Sequence, residues 1–197
     1  MLNSLTIILQ EVLEAAIIIS ILLASLQKTR LKGSLLIWGL LAGVAGSLLM
    51  ASQYAVISDA LDGVGQEVLN AVMLFILALM LTIYVFLLVR YSQLVTNFDP
   101  LIKLVLSVII FIAVLREGVE IIIYVSGYLA NLSDNSSLLV GGSIGAWIGI
   151  SSGILIYYSL LYCTPQIRLN IIIFIAAVLV AGMVSEGLLY LMQADWI

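Results

Sequence analysis

Long apolar stretches alternate along the chain with short polar interruptions. Six stretches reach the length needed to cross the hydrocarbon core, about 20 mainly apolar residues. They run roughly over Leu5–Leu26, Ser34–Ile57, Glu67–Val89, Leu101–Tyr128, Leu138–Tyr162 and Leu169–Met192. Polar runs separate them: Gln27 to Gly33, Ser58 to Gly63, Arg90 to Pro100, Asn131 to Ser137, and Thr164 to Arg168. Backbone polar groups find no water in lipid, so apolar segments of this length predict helices. The expected fold class is all-α, a polytopic transmembrane helical bundle of six helices.

The charges orient this pattern. Lys28, Arg30 and Lys32 fall in the first interruption, Arg90 and Lys103 flank the third, and Arg168 is in the fifth. Asp59 and Asp62 are in the second, Asp134 is in the fourth, and Asp195 is near the end. Every basic residue except Arg116 therefore falls on one side, which the positive-inside rule makes cytoplasmic. Both termini are then expected outside, in a multi-pass protein of the plasma or inner membrane. Trp38, Trp147 and Trp196 are candidates for interface anchors, Trp147 equally for a helix contact.

Composition removes the soluble alternatives. Hydrophobic residues make up 64% of the chain and charged ones 9%, against about 25% charged in a soluble domain. The 197 residues fit one membrane domain, 1–197, with no room for a soluble second one. A single cysteine, Cys163, excludes an internal disulfide, and the absence of His removes imidazole as ligand, base or proton relay. The N-terminus lacks the basic region of a cleavable signal peptide. No Gly-x-x-x-x-Gly-Lys-Ser/Thr run is present, so ATP is not expected to act on this chain directly. No enzyme activity, organic cofactor or nucleic-acid partner is expected.

An internal repeat organises the chain. Gln10-Glu11-Val12-Leu13-Glu14 resembles Arg116-Glu117-Gly118-Val119-Glu120 at an offset of 106 residues. The same offset carries Gly39, Gly43 and Ser47 onto Gly145, Gly149 and Gly153. Repeat one is then about 1–98 and repeat two about 99–197. With three helices each, the halves insert in opposite directions, an inverted repeat with its site expected at the repeat interface near mid-membrane. The glycine ridge Gly141, Gly145, Gly149 and Gly153 and its shorter counterpart Gly39-Gly43-Ser47 predict close helix packing, or a homo-oligomer interface.

The chemistry lies in the repeated acids. Glu11 and Glu14 share one helix face, as do Glu117 and Glu120. Each pair lies about ten residues, or about 15 Å, in from the outer end of its helix. An acid at that depth costs roughly 2.5–3.5 kcal/mol on insertion scales. Arg116 is the only cation there, and one guanidinium leaves four carboxylates three charges short of neutrality. The remainder must be protonated, hydrated, or matched by a cation, and a trivalent one matches the sum. Carboxylates alone suit hard cations such as ferric iron, Mg²⁺, Ca²⁺ or Mn²⁺ over Cu⁺ or Zn²⁺. The plainer alternative is that these acids only pair and hydrogen-bond between helices. Glu67 and Glu186, with Asp59 and Asp62, form a candidate acidic entry on the outer side that concentrates cations.

Arg-Glu-Gly-x-Glu in one membrane helix with a second copy in another resembles the oxidase-dependent iron permease family. Gly65-Gln66-Glu67 is similar to the start of that family's corresponding helix, and Ala181 to Gly187 to its final helix. The resemblance implies a permease that moves iron, as ferric iron, across the cytoplasmic membrane. It implies Glu11, Glu14, Glu117 and Glu120 as iron ligands, Arg116 and position 10 as their charge partners, and a multicopper oxidase or extracytoplasmic iron-binding protein as partner. Three departures stand out: Gln10 where the family has Arg, Ser185 where it often has His, and six expected helices where seven are common. They leave a non-transporting subunit of a larger redox complex, or a transporter of another hard cation such as manganese, as alternatives.

Overall fold

The computed structural model describes residues 2–26, 34–91, 100–130 and 135–196. Every regular element among them is helical: α1 (Leu2–Ser25), α2 (Ser34–Ser52), α3 (Tyr54–Ser58), α4 (Gly65–Tyr91), α5 (Pro100–Ala130), α6 (Asn135–Tyr162) and α7 (Pro165–Gln193). A single 3₁₀ turn, Leu61–Gly63, precedes α4. Lys28, Arg30, Lys32 and Asp134, on which the expected orientation leans, lie outside the described residues.

Among the described residues, four helices are long and apolar enough to cross a membrane by length and composition: Leu2–Ser25, Gly65–Arg90, Leu138–Tyr162 and Pro165–Gln193. Of the other two expected spans, α2 has a shorter apolar stretch, Leu36–Ser52. The other, α5, carries Arg116, Glu117 and Glu120 in its middle.

The second expected segment, Ser34 to Ile57, is not one helix. It breaks at Gln53, whose backbone (φ −99°, ψ 12°) leaves the helical range, and restarts as α3. The Tyr54 hydroxyl donates to Gln66 Oε1 at 2.5 Å and ties α3 to the start of α4. Gly63, at φ +95°, supplies the left-handed step of the turn between them. The last helix begins earlier than its apolar run because Pro165 occupies its first turn, where a missing N–H costs nothing.

The helices pair across the two halves of the sequence. The main contacts are α1 with α6, α2 with α5, and α4 with α7, and α1 also crosses α5. Close approach explains the glycines. A Cβ on Gly145 would lie 2.5 Å from the Leu5 carbonyl oxygen, one on Gly149 2.8 Å from Val12, and one on Gly153 2.7 Å from Ala16, all on α1. Ser20 Oγ donates to the Gly153 carbonyl at 2.7 Å in the same seam. On α2, Gly39 lies against Ser107 and Gly43 against Val114 of α5. The two seams differ by one turn: Gly118 faces Ser47, whereas Val12, its counterpart at the 106-residue offset, faces Gly149. At these positions the ridges pack inside the chain. Trp147 is 71% exposed.

The apolar core gathers at one end of the bundle. Ile18, Ile21 and Leu22 of α1 meet Leu74, Leu77 and Leu81 of α4, Leu106, Ile109 and Ile110 of α5, and Ile172 of α7. These are the C-terminal part of α1, the middle of α4 and the N-terminal parts of α5 and α7, so the core lies toward the first, third and fifth interruptions. The acidic motifs lie beyond it, toward the opposite end.

Candidate metal centre

Glycine seams position the motif helices. The α6 ridge holds one flank of α1 through Leu5, Val12 and Ala16. Glu11 and Glu14, three residues apart, share a different face and turn toward α5. On α5, the motif's own Gly118 lets Ser47 of α2 pack against it, since a Cβ there would lie 2.6 Å from the Ser47 hydroxyl. Gly118 therefore serves the α2 seam and leaves Arg116, Glu117 and Glu120 to face α1.

Carboxylate oxygens of Glu11, Glu117 and Glu120 all lie within 4.8 Å of one another. Oxygens bound to one hard cation at about 2.0–2.6 Å stand no more than about 5.2 Å apart, so a single ion can reach all three. Two ionised carboxylates at 4.8 Å repel by about 3.5 kcal/mol at an effective dielectric constant of 20. Such a trio needs cations or protons to persist.

Arg116 is the hub beside it. It is 2% exposed. Its Nη1 reaches Glu117 Oε1 at 2.5 Å and Glu14 Oε2 at 3.3 Å. Its Nη2 reaches Glu186 Oε1 at 2.7 Å and Glu120 Oε1 at 3.3 Å. The last contact has an ion-pair distance without hydrogen-bond alignment, so Glu120 Oε1 is left without a hydrogen-bond partner among the described residues. Glu117 Oε2 and Arg116 Nε are likewise buried without one. Four carboxylates thus surround one guanidinium, with Glu11 beside Glu117 and Glu120, and two buried carboxylate oxygens of Glu117 and Glu120 lack a hydrogen-bond partner among the described residues.

The structure therefore brings together Glu11, Glu117 and Glu120, with Glu14 joined through Arg116. Glu186, expected at the outer entry, has its carboxylate on Arg116 within this cluster. Gln10, expected as a charge partner, is exposed on α1, whereas Arg116, its counterpart at the repeat offset, is buried. Glu67 begins α4 outside the cluster, with a buried Oε2 that has no hydrogen-bond partner among the described residues. Asp59 is exposed at the end of α3. The Asp62 side chain lies outside the described residues.

The linear pattern does not single out Asn70, which is 5% exposed and lies beside Tyr190 of α7. It is an amide one helical turn beyond Gln66 inside an apolar run, and that spacing was the available signal.

The model of the Iron permease FTR1 family matches residues 1–196. No curated protein and no solved structure matches the chain.

Proposed function

The chain belongs to the Iron permease FTR1 family, and from that premise we propose that it moves ferric iron through a carboxylate site formed by α1 and α5. The observation that carries this reading is the convergence of Glu11, Glu117 and Glu120 oxygens within 4.8 Å across two helices that are far apart in sequence. All-oxygen ligation suits a hard cation. Arg116 offsets one charge and leaves the site strongly negative, so a trivalent cargo is held better than a divalent one. Glu14 joins through Arg116, and its partial exposure makes it the ligand that exchanges as iron enters or leaves.

In this reading the chain is one membrane domain of six spans, α1, α2, α4, α5, α6 and α7, with both termini outside. The pairing of α1 with α6 and of α2 with α5, around the contacts of α1 with α5 and α4 with α7, supports two inverted halves of about 1–98 and 99–197. The apolar core then closes the cytoplasmic side beneath the carboxylates, and iron crosses when that core parts. A multicopper oxidase or an extracytoplasmic iron-binding protein delivers the cargo. A homo-oligomer, where it forms, uses a surface other than the glycine seams.

The test is ⁵⁵Fe uptake into proteoliposomes holding the full-length protein, with Glu11→Gln, Glu117→Gln and Glu120→Gln. Each variant should abolish uptake while remaining folded, and a tenfold excess of Mn²⁺ should not compete. Uptake that persists in all three variants rules out the carboxylate site. Preferred transport of Mn²⁺ assigns the site another cargo. Absence of uptake in wild type, with an oxidase partner supplied, favours a non-transporting subunit.

A further inference from the structure

Between the end of α2, α3, the first turns of α4 and the C-terminal half of α5 lies a narrow cleft with a free volume of about 20 Å³, room for about one water. Its wall includes Met50, Tyr54, Gln66, Asn70, Glu120 and Ile123. Among the described lining residues Glu120 is the only carboxylate, and it is also one of the three converging acids. The remaining polar groups are neutral oxygen-bearing side chains. Tyr54 and Gln66 are bonded to each other across the α3–α4 junction. Asn70 is 5% exposed in the apolar interior of α4, beside Tyr190 of α7. A buried amide in a membrane helix is costly unless it serves packing or a polar path.

We infer that this cleft is the last aqueous step of the cation's path, in which Tyr54, Gln66 and Asn70 replace water around the incoming ion before Glu120 draws it into the carboxylate trio. This rests on the proposed transport function and adds the route and its residues. The chemistry follows from the order of the walls. Neutral amide and hydroxyl oxygens hold a cation loosely enough to let it go. A carboxylate at the inner end holds it more tightly, so the ion moves inward. The Tyr54–Gln66 hydrogen bond ties two walls of the cleft together at the junction where the second apolar segment breaks, and α3 is the element whose movement would widen it. The route starts at the α2–α4 connection, the outer side under the positive-inside rule.

The lone natural cysteine makes the test direct. In a Cys163→Ser background, Gln66→Cys, Asn70→Cys and Ile123→Cys are each treated in intact cells with a small, positively charged, membrane-impermeant thiol reagent. Leu77→Cys, in the closed apolar core, is the control. The cleft positions should label and Leu77→Cys should not. Ferric iron should slow labelling of Asn70→Cys, and adding Glu120→Gln should remove that effect. Tyr54→Phe should speed labelling of Asn70→Cys roughly fivefold, the weight of one net hydrogen bond. Ile123→Cys and Gln66→Cys keep the test decisive if Asn70→Cys does not fold. No labelling at any cleft position, or labelling indifferent to iron in a protein that binds iron, overturns the route. If purified protein loses iron binding with Glu11→Gln while labelling ignores iron, the carboxylate site stands and the route fails. Iron protection that survives Glu11→Gln and Glu117→Gln but not Glu120→Gln upholds the cleft and overturns the three-carboxylate site.

Discussion

Replacing Arg116 with glutamine removes the one cation from a cluster of five carboxylates. The guanidinium is 2% exposed, and the side chain of Glu117, its partner at 2.5 Å, is 3% exposed. Breaking a buried pair by deleting one member costs about 3–5 kcal/mol, mainly because the other charge is left buried alone. Glu14 and Glu186 have side chains 33% and 38% exposed, so solvent screens their share to about 0–1 kcal/mol each. Arg116→Gln should therefore destabilise the fold by about 3–5 kcal/mol, dominated by the Glu117 contact. The assay is reversible unfolding of the purified full-length protein in mixed micelles, followed by tryptophan fluorescence. Arg116→Lys keeps the charge but loses the two-nitrogen fork that reaches Glu117 and Glu186 together, so its loss should be intermediate. Adding Glu117→Gln to Arg116→Gln should recover a large part of the loss, since the stranded carboxylate is the source of the cost. A loss below about 1 kcal/mol for Arg116→Gln, the scale of an exposed pair, would refute the buried hub. So would a double variant as unstable as the sum of the two single ones.

Other expectations follow from the seams and the topology. Gly145→Ala places a Cβ 2.5 Å from the Leu5 carbonyl oxygen and should cost about 1–3 kcal/mol in the same unfolding assay. Gly182→Ala, with nothing within 4 Å, should be neutral or stabilising, and equal effects at the two sites would contradict the α1–α6 seam. Cys163, between α6 and α7, should label in intact cells only with membrane-permeant thiol reagents; reaction with an impermeant reagent reverses the proposed orientation. Gln10→Arg stands one turn from Glu14 on the same face, where such a pair is worth about 0.2–0.5 kcal/mol. That variant should fold and retain measurable iron uptake, and loss of uptake would move Gln10 into the transport machinery.

Much of this arrangement is legible in the linear chain because lipid imposes strict local rules. Apolar length predicts the long helices, and the cost of buried acids singles out Glu11, Glu14, Glu117 and Glu120. The repeated Gly39-Gly43-Ser47 and Gly145-Gly149-Gly153 patterns foretell close seams, although spacing alone does not say which helix fills them. Other features depend on tertiary geometry. The break at Gln53 hides inside a run that reads as continuous, and the tie from Tyr54 to Gln66 becomes visible only once α3 and α4 are side by side. Glu186 reads as an outer acid from its distance to the end of its segment, but the packing of α7 carries it onto Arg116. The repeat makes Gln10 the counterpart of Arg116, yet one is exposed and the other buried. The motif is therefore repeated in chemistry at its acids but not at its first position.

The central claim is that one iron ion sits between α1 and α5. The most direct measurement is an anomalous difference map at the iron absorption edge, from crystals of the full-length protein grown with ferric iron. The account predicts a peak between the carboxylates of Glu11, Glu117 and Glu120, with oxygen ligands only and Arg116 still paired to Glu186. A peak elsewhere in the bundle, with these three carboxylates free of metal, would contradict it.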